Sequence, residues 1–233
     1  MVIGGADLKQ TEIIDLTDPS LTCTSSTFGD LETVRIQAMG GLIIETPILC
    51  GGRDSNRDRF DSCILFGQTK TSIKLKEKRS GAASVMLNEE TLWILGGRRT
   101  DESYITSTEL ISLDADFSVY GPSMPNELSN LCAVKYNESH IYLTGGYNYD
   151  SGGETNKVWI FNKVTTAWTE GPLMINKRAW HGCTILHHEQ GSWIVVSGGG
   201  PHHKKMEILD PNKNIWVQGT NTKKILFLAY KSN

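Results

Sequence analysis

Apolar residues run straight into a pair of glycines five times along the chain: Val2-Ile3-Gly4-Gly5, Ile48-Leu49-Cys50-Gly51-Gly52, Leu92-Trp93-Ile94-Leu95-Gly96-Gly97, His140-Ile141-Tyr142-Leu143-Thr144-Gly145-Gly146 and Ile194-Val195-Val196-Ser197-Gly198-Gly199. The first glycines fall at positions 4, 51, 96, 145 and 198, so the steps are 47, 45, 49 and 53 residues. Successive apolar positions rich in β-branched residues predict a strand covered on both faces, and the paired glycines end it where the backbone turns or meets a neighbour without a Cβ in the way.

Around each of these strands the pattern divides a repeat into four strands, a to d. In the second repeat they are 37–44, 48–52, 62–67 and 71–76; in the third, 82–88, 91–97, 107–113 and 118–120. The fourth has 130–137, 140–146, 156–161 and 167–171, and the fifth 180–187, 193–199, 206–210 and 214–219. Short polar turns between closely spaced strands predict an antiparallel all-β protein, with no competing helical periodicity. Repeats fill the chain from end to end, so one domain, 1–233, is expected. Residues 226–233 share Ala, Lys and a final Asn with strand a at 130–137. The chain thus starts on a strand b and stops after a strand a, and closing the ring with the last strand gives five blades without a long open edge. Only three residues precede Gly4, whereas seven separate Asn88 from Gly96 and Asn137 from Gly145. A piece of a longer array is therefore the other reading, and both stay open.

The repeats resemble the kelch family, whose period is near 50 residues. Its pattern is an apolar strand, Gly-Gly, a strand bearing a Glu and often a Tyr, and a Trp after a short turn. The best matches are Met206-Glu207-Ile208-Leu209-Asp210-Pro211-Asn212-Lys213-Asn214-Ile215-Trp216 and Val158-Trp159-Ile160-Phe161-Asn162 leading to Trp168. An Arg also recurs ahead of strand a, as Arg35, Arg79 and Arg178. The resemblance implies a kelch-type β-propeller of five repeats, each a four-stranded antiparallel blade. Phe161 and Leu209 stand at the Tyr position and Ser118 at a Trp position; such losses are expected to loosen packing between blades.

Composition adds exclusions. The 233 residues are 39% hydrophobic and 21% charged, with a net charge of −3, so nothing calls for nucleic acid as a partner. No apolar run approaches the roughly 20 residues that span a bilayer, and membrane insertion is not expected. Five cysteines lack CxxC spacing, which disfavours zinc and thioredoxin chemistry. Cys50 ends one strand and Cys63 opens the next, within disulfide reach across a hairpin; reduced cysteines acting as small buried apolar residues are the other reading. Asn137-Glu138-Ser139 is an N-glycosylation sequon on a predicted turn. A Cys50–Cys63 bond or a glycan would place the protein in a secretory compartment. The default placement is cytoplasmic, with an extracellular one kept open.

Catalytic signatures are missing: there is no Gly-x-Ser-x-Gly and no phosphate loop. Some copper-dependent oxidases are also kelch-like propellers and use two Tyr and two His as ligands. Here His181, His187, His188, His202 and His203 fall on different predicted elements, so no metal, no cofactor and no catalysis is expected. The b to c loops are the long, varied connections, and propellers present such loops on one face. They supply Arg53, Arg57, Arg59, Arg98, Arg99, Tyr104, Tyr147, Tyr149, His202 and His203. Arg and Tyr are the side chains that make interface hot spots, and Arg can grip a carboxylate with two parallel hydrogen bonds. These loops are expected to bind another protein through a short acidic segment. Kelch proteins of the adaptor kind recruit substrates to ubiquitin ligases through a separate N-terminal domain, which these residues do not contain. The alternative is a secreted or cell-surface protein with a structural or adhesive role.

Overall fold

The structure, a computed structural model, describes residues 2–5, 8–14, 22–25, 28–68, 72–148, 152–188, 191–200 and 204–219. The described residues form strands and turns without an α-helix. Contacts gather the chain into two compact units, residues 1–103 with 107–121, and residues 104–106 with 122–233.

The first unit opens with a three-stranded sheet of β1 (Val2–Gly5), β2 (Leu8–Ile14) and β3 (Cys23–Ser25). Blade 2 follows as β4 (Met39–Ile43), β5 (Thr46–Cys50), β6 (Ser62–Leu65) and β7 (Ser72–Lys74), and blade 3 as β8 (Ala83–Met86), β9 (Leu92–Leu95), β10 (Thr108–Ile111) and β11 (Val119–Gly121). In the second unit, blade 4 is β12 (Cys132–Lys135) and β13 (His140–Thr144), then a small hairpin of β14 (Tyr147–Asn148) and β15 (Gly153–Glu154), then β16 (Val158–Asn162) and β17 (Ala167–Glu170). Blade 5 is β18 (His181–His188), β19 (Gly191–Gly198), β20 (Met206–Asp210) and β21 (Ile215–Gly219). In blades 2 to 5 the strands pair antiparallel in the order a-b-c-d. The double-glycine strands are the covered ones: all four residues of β9 are buried, as are Ile141 to Thr144 of β13. The closing strand expected at 226–233 lies outside the described residues.

Apolar faces meet between neighbouring blades within each unit. Met39, Ile43, Ile48, Leu65 and Ile73 of blade 2 pack with Leu92, Ile94 and Ile111 of blade 3. Tyr142 and Val158 of blade 4 pack with Ile194, Val196, Leu209 and Trp216 of blade 5. Trp168 leans on Phe161 with ring centroids 4.9 Å apart, and Trp216 donates its Nε1–H to the Pro172 carbonyl at 2.8 Å. Ser118, which stands at the family's Trp position, is 1% exposed, and its hydroxyl bonds the Glu109 carboxylate.

Two disulfides tie the strands. Cys50 and Cys63 face each other in the β5–β6 register, and Cys132 of β12 bonds Cys183 of β18, joining blades 4 and 5 across 51 residues of chain. The second bond was not anticipated, because its partners are remote in sequence and meet only when two blades stack.

The glycine pairs and recurring arginines lock successive repeats together. The first glycine donates to the start of strand c: Gly51 to Ser62 O at 3.1 Å, Gly96 to Ser107 O at 3.1 Å, Gly145 to Lys157 O at 3.0 Å. The second reaches the next repeat, Gly52 to Arg79 O at 2.9 Å and Gly146 to Arg178 O at 2.8 Å. Gly51 has φ 59°, and a Cβ there would come 2.5 Å from that same Arg79 oxygen. Only glycine fits both the left-handed backbone and this approach.

Candidate protein-binding loops

Loop 53–61 of the first unit is closed by its own backbone. Arg53 exchanges hydrogen bonds with Ile36 at 2.8 and 2.9 Å, and Asp54 Oδ1 accepts the Asp58 N–H at 2.9 Å. Arg57 is exposed on this turn at φ 73°. Arg59, by contrast, is buried: its Nε donates to Ser80 Oγ at 3.0 Å, and its two terminal nitrogens reach Glu102 at 3.1 Å. Arg98 joins the same carboxylate at 2.5 Å, and Arg99 pairs with Glu77 at 2.7 Å.

These pairs account for the local electrostatics. The hydrogen bonds from Arg59 hold the Glu102 carboxyl below the usual carboxylate range. Burial pushes Glu77 upward, but bonds from Arg99 and Ser107 and the Arg79 charge outweigh it and leave the carboxyl low. Three of the arginines singled out in the sequence thus already grip carboxylates of this chain, while Arg57 stands on the exposed turn.

In the second unit the loops bring three aromatic rings together. Tyr104 lies 6.1 Å from Tyr147 with planes 25° apart, and Tyr147 lies 5.6 Å from Trp180. Tyr147 is held from below by backbone bonds with Ser129 in both directions, at 2.7 and 3.0 Å. Trp180 is 54% exposed and sits at φ 58°, a conformation costly for a bulky side chain. Its N–H donates to the Asn130 carbonyl at 2.8 Å. The equivalent residues two positions after Arg35, Arg79 and Leu128 are Gln37, Gly81 and Asn130, all with positive φ. The sequence signal for this position is a Trp that aligns with Gln, Gly and Asn in the other repeats. Tyr149, His202 and His203 lie outside the described residues.

The remaining histidines are held apart. His181 is buried, with Nε2 2.9 Å from Thr144 Oγ1, and burial lowers its pKa to about 4. His187 meets Ser192 Oγ at 2.9 Å, and His188 stacks on Trp193. Among the described residues no group of three or more His, Cys, Asp or Glu is placed to hold a metal ion. Asn137 is exposed on the β12–β13 turn, where its Oδ1 accepts the Ser139 and His140 N–H groups at 2.9 and 2.8 Å.

Comparison with known proteins agrees with this architecture. Residues 132–174 match the Kelch motif. Kelch-like protein 23 of Homo sapiens is 31% identical over 106 residues, 44% of this chain and 18% of that protein. Alpha-scruin of Limulus polyphemus is 24% identical over 192 residues, 77% of this chain and 20% of its own length. Kelch-like protein 36 of Rattus norvegicus is 24% identical over 138 residues, 56% of this chain and 22% of that protein. The chain therefore spans about a fifth of the length of these relatives. With the motif at 132–174, the double-glycine strands on one period and the four-stranded antiparallel sheets they build, this chain carries a Kelch motif and is similar to kelch repeat proteins.

Proposed function

We propose that this chain is a protein-binding scaffold without catalysis of its own, which holds a partner on its b to c loops and on the segment that enters strand a of blade 5. The observation that carries the reading is the Tyr104–Tyr147–Trp180 ladder, with Trp180 exposed on a left-handed backbone. Rigid aromatics on a well-fastened loop supply contact area at little entropic cost, which is why they dominate interface energetics. The positive φ recurs at this position in blades 2 to 5 and belongs to the fold, so what supports a contact surface is that blade 5 fills it with a large exposed aromatic instead of the Gln, Gly or Asn of the other blades. An acidic segment of the partner is read by the arginines of the second and third repeats, with Arg57 as the exposed contact and Arg98 and Arg99 exchanging their internal carboxylates for the partner's. The role is that of the substrate-recruiting part of a kelch-like adaptor.

The test compares wild type with Trp180→Ala, Tyr147→Ala and Arg57→Ala by quantitative affinity capture from the native source, followed by titration of the purified partner. Loss of the same partner in the aromatic variants, and a steeper salt dependence that Arg57→Ala relieves, is the expected outcome. Undiminished capture by both aromatic variants sinks the reading.

A second reading is favoured by the Cys50–Cys63 and Cys132–Cys183 bonds, which persist in oxidising compartments. In it the same scaffold works outside the cytosol, in a structural or adhesive role, with Asn137 as a glycan carrier.

A further inference from the structure

Blades 3 and 5 each hold a glutamate carboxylate in the same cradle. Glu109 takes Arg79 Nη2 at 2.6 Å and the N–H groups of Lys76 and Glu77 at 2.7 and 3.1 Å. Glu207 takes Arg178 Nη2 at 2.8 Å, and the N–H groups of Ile175 and Asn176 at 2.7 and 3.1 Å. The donors are an arginine and the two backbone amides three and two residues before it. All four side chains, two arginines and two glutamates, are fully buried.

Blade 2 repeats the arginine without the glutamate. Arg35 Nη1 donates to Gly51 O and Ser62 O, both at 2.8 Å, as Arg79 Nη1 does to Gly96 O and Ser107 O at 2.9 Å. Two residues after Ser62, where Ser107 is followed by Glu109, stands Ile64. Arg35 Nη2 turns to Ser62 Oγ at 2.6 Å, where Arg79 Nη2 reaches both Ser107 Oγ and Glu109, so the guanidinium of blade 2 lacks the carboxylate while its buried Nε is unpartnered like that of Arg79. Where blades 3 and 5 keep their carboxylate there is a cavity of 450 Å³, lined by Arg35, Ser62, Ile64, Thr33, Phe28 and Phe66 among others. Glu32 and Thr33, the counterparts of the amide pair, are both on its wall.

The cavity wants one negative charge and an apolar body. Burial depresses the Arg35 pKa, as it does that of the paired Arg79, and the Asp61 charge works in the opposite sense. Asp30 and Glu32 are also on the wall, which disfavours a second anionic group on the ligand. Phe28 and Phe66, with ring centroids 6.0 Å apart, offer a hydrophobic seat beside the guanidinium.

We propose that this cavity between the 28–35 segment and blade 2 binds a monocarboxylate with an apolar tail, seated on the Arg35 guanidinium and the amides of Glu32 and Thr33, where blades 3 and 5 use their own glutamate. The carboxylate comes from a small organic acid or from the C-terminal residue of a peptide. The site uses residues other than the Tyr104–Tyr147–Trp180 ladder, and it stands or falls apart from the loop-binding role.

The experiment titrates the 15N-labelled chain with three probes: 3-phenylpropionate, the tripeptide acetyl-Gly-Ala-Phe with a free C-terminus, and the same peptide as its amide. Saturable shifts of the Glu32 and Thr33 amides and of Arg35 Nε–H with the acids, but not with the amide, are expected. A response to phenylpropionate alone assigns the site to small acids, and a response to both acids extends it to peptide C-termini. Ile64→Glu supplies the internal carboxylate of blades 3 and 5, so it should weaken acid binding about tenfold or more while raising thermal stability. The proposal is overturned by the absence of any saturable shift at millimolar acid, by equal binding of the amide, or by acid binding that survives Ile64→Glu unchanged.

Discussion

Arg79 and Glu109 meet at 2.6 Å with neither side chain reaching solvent, and Arg178 with Glu207 repeats the arrangement at 2.8 Å. Each arginine also caps two carbonyls of its own blade, and each glutamate collects backbone amides from the segment leading to the arginine. Removing one partner strands a buried charge. Glu109→Ala is therefore expected to cost about 3–5 kcal/mol, measured by denaturant unfolding. Blade 4 carries Leu128 and Trp159 at the two positions, an apolar answer to the same packing problem. The double variant Arg79→Met with Glu109→Leu should accordingly cost less than Glu109→Ala alone.

His181 sets a pH dependence. Its folded pKa of about 4, lowered first by burial and then by the Arg178 charge, lies below the ordinary value of 6.5. Between these values the unfolded chain binds the proton and the folded one does not. Stability is thus full above about pH 6.5 and falls by about 3 kcal/mol as the pH drops to 4. Unfolding curves across pH 4–7 should show this slope, and His181→Gln should flatten it.

Trp180→Gly separates stability from binding. Glycine relieves the left-handed backbone that Gly81 already occupies at the equivalent position in blade 3. The variant should melt no lower than wild type, with a backbone gain of about 1–2 kcal/mol set against the lost Tyr147 contact. Partner affinity should fall in the same variant.

The Cys132–Cys183 bond closes a long loop between two blades, and loop-entropy arguments assign it about 4 kcal/mol against about 3 for Cys50–Cys63. Peptide mapping without reduction should join the peptides carrying Cys132 and Cys183. Cys132→Ser should lower the melting temperature more than Cys63→Ser.

Glycine positions differ in tolerance. Gly51→Ala drives a Cβ against the Arg79 carbonyl from a positive φ and should destabilise by about 2 kcal/mol or more, whereas Gly182, with open space around it, should accept Ala with little change. Paired thermal melts decide it.

Local pattern carried far in this chain. The strand positions follow from alternation and glycine spacing alone: the run predicted at 206–210 is β20, and those at 140–146 and 167–171 differ from β13 and β17 only at their ends. Arg35, Arg79 and Arg178 were visible as a recurrence, because each repeat must solve the same problem of fastening its glycine turn. Their partners were harder to see. Glu109 and Glu207 fit a family pattern, but nothing local says that they close on those arginines, since about 30 residues of chain separate each pair.

The loop residues show the limit most clearly. Residue type alone marked Arg59, Arg98 and Arg99 as gripping groups, and the grip is already taken by Glu102 and Glu77, contacts that only folding creates. Tyr147 and Trp180 stand 33 positions apart and meet because two blades stack, and the strain at Trp180 exists only in the backbone conformation that this stacking imposes. By itself the sequence determined the repeat, the strands and the all-β class, which depend on side-chain alternation and glycine freedom along a single segment. Which cysteines bond, which arginines are spent, and where blade 2 is left without its carboxylate were decided by tertiary structure, because each depends on groups that become neighbours only when separate repeats are packed face to face.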